Sequence, residues 1–132
     1  MAEYYWYDGD FFSSDQLLIG PDSRALRFGD GLFETMRVND GRIALEERHF
    51  ARLFTGLELL RFQIPPEFSE QSLRMAIAAL CKKNNHVSAR VRMTLFRGDG
   101  SLFDPINFFP HCLIQSWAIE QGPELNSKGL WV

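Results

Sequence analysis

A chain of 132 residues holds one domain or part of a larger protein, and 45% hydrophobic residues with the charges spread along it exclude a disordered segment. Seventeen acidic against 14 basic residues leave a net charge of −3, so no broad positive field exists for a nucleic-acid backbone, although a local basic cluster can still hold one phosphate. Twelve phenylalanines and three tryptophans strain so small an interior, and a second domain or subunit is expected to cover some of them.

Tyr4 to Tyr7 read as an aromatic strand, Asp8-Gly9-Asp10 as a turn, and Phe11-Phe12 as the start of a returning strand. Ser13 to Asp22 mixes polar residues with Gly20 and Pro21 and reads as an irregular connection. Gly29-Asp30-Gly31 is a tight turn into a strand at Phe33 to Val38, and it lacks the spacing and strand-to-helix setting of a dinucleotide fingerprint. The strand puts Phe33, Thr35 and Arg37 on one side and Glu34, Met36 and Val38 on the other. Both sides carry polar groups. One is expected to meet the core while the other lines a cleft that Glu34 or Arg37 serves. Asn39-Asp40-Gly41 then favours a hairpin turn into Arg42-Ile43-Ala44.

The period turns helical from Glu46 to about Arg61, where Phe50, Leu53, Leu57 and Leu60 form an apolar stripe with Phe54 beside it and Arg52 off it. Pro65-Pro66 bars any continuation. Ser69 is the expected N-cap of a second helix reaching about Asn84, with Leu73, Ile77 and Leu80 on its buried face, Ala76 and Cys81 beside them, and Lys82 and Lys83 in its last turn. Acidic pairs at the two helix starts, Glu46/Glu47 and Glu67/Glu70, are explained by the helix dipole without catalysis. Val87 to Phe96 and His111 to Ile119 read as strands, and Arg90 and Arg92, two apart, share a face.

These elements predict an α+β fold, a two-layer small domain with a mainly antiparallel sheet and two helices, over residues 1–119. Residues 120–132 read as an interdomain linker and the beginning of a further C-terminal domain, because Gly129-Leu130-Trp131-Val132 looks like a strand just starting. No run approaches the roughly 18 apolar residues of a membrane span, the N-terminus lacks a secretory pattern, and a cytoplasmic location is expected. Cys81 and Cys112, one in a predicted helix and one in a predicted strand, are expected as free buried thiols.

Arg52 is the first candidate for chemistry, since its fork of donors can hold a phosphate through two charge-assisted hydrogen bonds. A solvated surface arginine is the competing reading. His49 lies one turn earlier and serves either beside Arg52 or as a brace for the preceding loop. Arg90 and Arg92 repel unless an anion, a substrate carboxylate or a protein acid such as Glu34, compensates them. Arg97-Gly98-Asp99-Gly100 reads as a strand exit, and the isolated His86 and His111 give no metal site.

The run Ser23-Arg24-Ala25-Leu26-Arg27-Phe28-Gly29-Asp30-Gly31-Leu32-Phe33-Glu34-Thr35-Met36-Arg37-Val38, followed by Gly41 and then His49-Phe50-Ala51-Arg52-Leu53, resembles the N-terminal domain of the class IV pyridoxal-phosphate enzymes. That family includes branched-chain and D-amino-acid aminotransferases and 4-amino-4-deoxychorismate lyase. The likeness continues through Arg92 to Gly98. It implies a small α/β domain followed by a larger one, pyridoxal 5′-phosphate between them, a homodimer, and an amino acid or aminodeoxychorismate as substrate. Arg52 matches the arginine that holds the cofactor phosphate, His49 supports it, and Phe33 and Arg92 fall at substrate-side positions. The resemblance places the cofactor-bearing lysine and the glutamate facing the pyridine nitrogen beyond Gly129, and Lys82, Lys83 and Lys128 do not match that lysine. No catalytic residue is therefore assigned, and this chain alone is expected not to turn over substrate. The Gly-Asp-Gly-Leu-Phe-Glu-Thr run is closer to the lyase and D-amino-acid branches than to the branched-chain one. A non-catalytic interaction domain is the alternative from a different class.

Overall fold

The structure, a computed structural model, describes residues 3–16, 31–97 and 109–119. Its strands are β1 (Tyr4–Tyr7), β2 (Asp10–Ser13), β3 (Gly31–Asn39), β4 (Arg42–Ile43), β5 (Ser88–Phe96) and β6 (His111–Ala118). They form one antiparallel sheet in the order β2-β1-β6-β5-β3-β4. Helices α1 (Glu46–Leu59) and α2 (Glu70–Lys83) lie on one side of it, α1 against β3 and α2 against β1 and β6. The predicted two-layer α+β architecture and both hairpins are present. The Ser13–Asp22 connection lies largely outside the described residues, as do Gly29, Asp30, Gly98 to Gly100, and the whole 120–132 segment.

The core fills the space between sheet and helices. Met36 and Val38 of β3, Val91, Met93 and Leu95 of β5, and Ile114 of β6 point into it and meet Phe50, Leu53 and Leu57 of α1 and Leu73, Ile77 and Leu80 of α2. Cys81 and Cys112 are free and buried here, and burial pushes both thiols above their ordinary range. Gly31 is required by close approach, since a Cβ there would stand 2.4 Å from the Leu95 carbonyl oxygen. Among the described residues no helix is long and apolar enough to cross a membrane.

Two sequence expectations about α1 need correction. Leu60 was expected in its buried stripe but is 39% exposed, and the helix ends at Leu59 rather than running to Arg61. The reason is local: Arg61 adopts a left-handed φ of 61°, and the Phe62 amide donates back to the Leu57 carbonyl at 2.9 Å. That reversal carries Phe62 into the core in place of Leu60, before the prolines are reached. Helix α2 follows its prediction closely. The Ser69 side chain accepts from the Ser72 amide at 3.1 Å while Ser72 Oγ accepts from the Ser69 amide at 3.0 Å, a reciprocal cap, and Asn84 closes the other end. Asn84 also works at long range, bonding both the amide and the carbonyl of Tyr4, at 2.8 and 2.9 Å, and thereby fastening the N-terminal hairpin to the end of α2.

Candidate functional site

The alternation of β3 sends Glu34 to the same side as Met36 and Val38, into a row otherwise filled by core residues. There it is 6% exposed. A buried carboxylate must be paired, and α1 supplies the partners from one turn of its surface. The Arg52 guanidinium donates side-on, Nε to Oε2 and Nη2 to Oε1, each at 2.8 Å. His49 Nδ1 lies 2.8 Å from Oε1, so the imidazole presents a proton there to an acceptor-only carboxylate. His49 is mostly buried, whereas the Arg52 side chain is 70% exposed.

Burial by itself would raise the Glu34 carboxyl. The hydrogen bonds and charges of Arg52 and His49 together outweigh that, and the net direction is downward from the ordinary 4.5. A carboxyl depressed in the folded state contributes stability that is present above its unfolded value and lost as pH falls through the folded one. Stability against urea is therefore expected to decline below about pH 4.5 with a contribution from Glu34, and Glu34→Gln is expected to flatten part of that acid limb. An unchanged pH profile in the variant would show that Glu34 titrates alike in both states.

The sheet face away from the helices carries the other candidates. Phe33, Thr35 and Arg37 of β3 share it with Arg90, Arg92 and Thr94 of β5, as the register pairs Thr35 with Arg92 and Arg37 with Arg90. Arg92 lies over the Phe33 ring at 4.2 Å, so the two proposed substrate-side residues form one unit. Arg90 lies over Trp117 at 4.8 Å. The expectation that Glu34 compensates Arg90 and Arg92 fails, because β3 turns it to the opposite face, where it is held by α1. Tyr5, Tyr7, Leu113 and Trp117 continue the exposed face into an aromatic groove of roughly 370 Å³. Arg97 closes β5 structurally, donating to the Leu60 carbonyl and stacking over Phe62 at 4.4 Å.

His86 and His111, isolated in sequence, have neighbours in space. His86 Nδ1 is 3.0 Å from Ser116 Oγ, and His111 Nδ1 is 2.7 Å from Asp8 Oδ2. Among the described residues no cluster of His, Cys, Asp or Glu suits a metal ion.

The two faces of β3 meet at its outer edge. Strand β4 pairs only with Val38 and Asn39, so among the described residues Gly31 to Arg37 has no strand beyond it. Glu34 with its clamp and Phe33 are neighbours along that edge, on opposite sides of one strand, and Arg92 reaches the Phe33 ring from β5. Of the residues singled out in the sequence, the structure joins Arg52 and His49 through Glu34 and sets Arg92 over Phe33, and the role of Glu34 as the link to α1 was not foreseen. The available signal was an acid in the apolar row of a strand followed by a His and an Arg three apart on a helix.

The pattern described as Amino-transferase class IV matches residues 31–128, which take in β3 to β6 and both helices. The chain belongs to the class IV aminotransferase family. It is similar to the branched-chain-amino-acid aminotransferase of Escherichia coli (strain K12), at 30% identity over 137 residues that cover 98% of this chain and 44% of that protein. The crystal structure of the Escherichia coli branched-chain amino acid aminotransferase superposes with a TM-score of 0.78 at 26% identity, over 98% of this chain and 43% of that one. The 4-amino-4-deoxychorismate lyase of Pseudomonas aeruginosa does so with a TM-score of 0.69 at 29% identity, over 91% of this chain and 42% of that one. The chain thus spans under half the length of these family members and corresponds to their N-terminal domain.

Proposed function

We propose that Arg52 holds the phosphate of pyridoxal 5′-phosphate and that the full-length protein, a cytoplasmic homodimer, uses this cofactor to transaminate an amino acid. The observation that carries the proposal is the Arg52 clamp. An arginine has five N–H donors, and Glu34 engages two of them along the Nε–Nη2 edge. The Nη1–Nη2 edge remains on a side chain 70% exposed, a geometry suited to two phosphate oxygens. When bound, the cofactor supplies an electron sink for negative charge at the substrate Cα.

The other residues divide the remaining work. A ligand along the free edge of β3 meets Arg52 on one side and Phe33 with Arg92 on the other. Phe33 is 56% exposed and gives the ligand an apolar wall. Arg92 has no carboxylate partner among the described residues, and its ring contact orients the guanidinium without neutralising it, which suits the carboxylate of the substrate. A hydrogen bond to a charged group contributes about 1.5 to 3 kcal/mol. Arg92→Gln is accordingly expected to raise KM for the amino-acid substrate about tenfold or more while pyridoxal-phosphate affinity stays unchanged. A parallel loss of cofactor affinity would defeat this division of roles.

The second reading is 4-amino-4-deoxychorismate lyase, which the similarity to the Pseudomonas aeruginosa enzyme and the Gly31-Leu32-Phe33-Glu34-Thr35 run support. The assay that separates them is direct. Keto-acid exchange that requires an amino acceptor supports transamination, whereas pyruvate and 4-aminobenzoate released without one support the lyase. If full-length protein loaded with cofactor does neither, the catalytic reading fails and an interaction module replaces it.

A further inference from the structure

We infer that Glu34 is the positioning residue of the phosphate site: it holds Arg52 by one edge of the guanidinium so that the other edge is presented to the phosphate, and His49 anchors Glu34 in turn. The inference rests on the reading that Arg52 binds the phosphate, and it goes beyond it by assigning the site's specificity for an oriented anion to two residues that need not touch the ligand.

Three observations carry it. First, Glu34 occupies a core position, 6% exposed between Leu32 and Met36, where an apolar side chain would pack without the cost of burying a charge. Second, the pairing is side-on and bidentate, with both bonds at 2.8 Å, which fixes the plane of the guanidinium as well as its position. Arg52 is 70% exposed, and a long side chain so placed is otherwise free to sample many rotamers. Third, His49 Nδ1 stands 2.8 Å from Oε1, the oxygen that also receives Arg52 Nη2. The carboxylate is thereby tied to α1 at two points and cannot swing with the arginine. Leu53 and Phe50, both buried, seat the same helical turn on the sheet.

Two effects of Glu34 on a bound phosphate oppose each other. Its negative charge repels the phosphate, while its hold on Arg52 removes rotamer freedom that binding would otherwise have to remove. Water around the exposed end of Arg52 screens the repulsion, so orientation is the larger effect. The sign is therefore fixed: loss of the Glu34 carboxylate weakens phosphate binding although it removes a negative charge.

The test is a double-mutant cycle on the full-length protein, reading equilibrium affinity for pyridoxal 5′-phosphate and for pyridoxal, which lacks the phosphate. Glu34→Gln is expected to weaken pyridoxal-phosphate binding by roughly five- to tenfold, the loss equivalent to freeing one long side chain, and to leave pyridoxal binding unchanged. On an Arg52→Ala background the same substitution should have no further effect. Glu34→Asp keeps the charge, guards against misfolding, and should restore part of the affinity on the wild-type background. Tighter binding by Glu34→Gln, or an equal loss with and without Arg52, overturns the inference. Arg52→Ala that binds pyridoxal phosphate like the wild type overturns the phosphate assignment itself, an outcome readable before Glu34 is touched.

Discussion

Arg52→Ala is expected to lower pyridoxal-phosphate affinity of the full-length protein on the order of a hundredfold, from the loss of charge-assisted hydrogen bonding to the phosphate. The fold should survive, because the side chain is 70% exposed and packs no core. The substitution also strands Glu34, whose burial then lacks its strongest counter-charge, so a modest fall in melting temperature is expected alongside the loss of affinity. Arg52→Lys separates charge from geometry. A lysine restores a point charge but cannot hold Glu34 and the phosphate along two edges at once, and it should recover only part of the affinity. Equilibrium dialysis with the wild type and both variants checks this, and equal affinities across the three would remove Arg52 from the site.

Leu53→Ala carries the second large effect, on stability rather than binding. Leu53 is 0% exposed, follows Arg52 directly, and sits in the face by which α1 meets the sheet. Truncating a fully buried leucine costs about 3 kcal/mol, from lost transfer energy and the cavity left behind. That is a large share of the 5 to 15 kcal/mol typical of a domain. Urea unfolding followed by far-ultraviolet circular dichroism should show it. Leu59→Ala provides the contrast on the same helix: at 78% exposure it is expected to change stability by no more than about 0.5 kcal/mol. Similar losses in both variants would refute the orientation of α1. A weaker pyridoxal-phosphate affinity in Leu53→Ala is a further expected result, since this turn of helix carries both His49 and Arg52.

Much of the architecture was legible in the chain because it depends on short-range pattern. The alternation of Phe33 to Val38, the spacing of Phe50, Leu53 and Leu57, and the Ser69 cap each report a local period or a local hydrogen bond. Leu60 failed because helical spacing continues past the point where Arg61 turns left-handed, and nothing in the apolar pattern marks that reversal. Arg90 and Arg92 were placed correctly on one face, yet their partners were not foreseen. Phe33 and Trp117 come from neighbouring strands whose register is a property of the assembled sheet.

Arg52 itself marks the division most sharply. The sequence alone determined that a helix would display an arginine off its apolar stripe, three residues after a histidine, in an order shared with a family of cofactor enzymes. Whether that arginine was a solvated surface group or a held one depended on Glu34, 18 residues away, and the strand's own alternation allowed Glu34 to serve either face. Only the tertiary structure decided it. Burial of Met36 and Val38 against α1 turns the whole row inward, and a carboxylate carried into that row must take its hydrogen bonds from the helix that covers it.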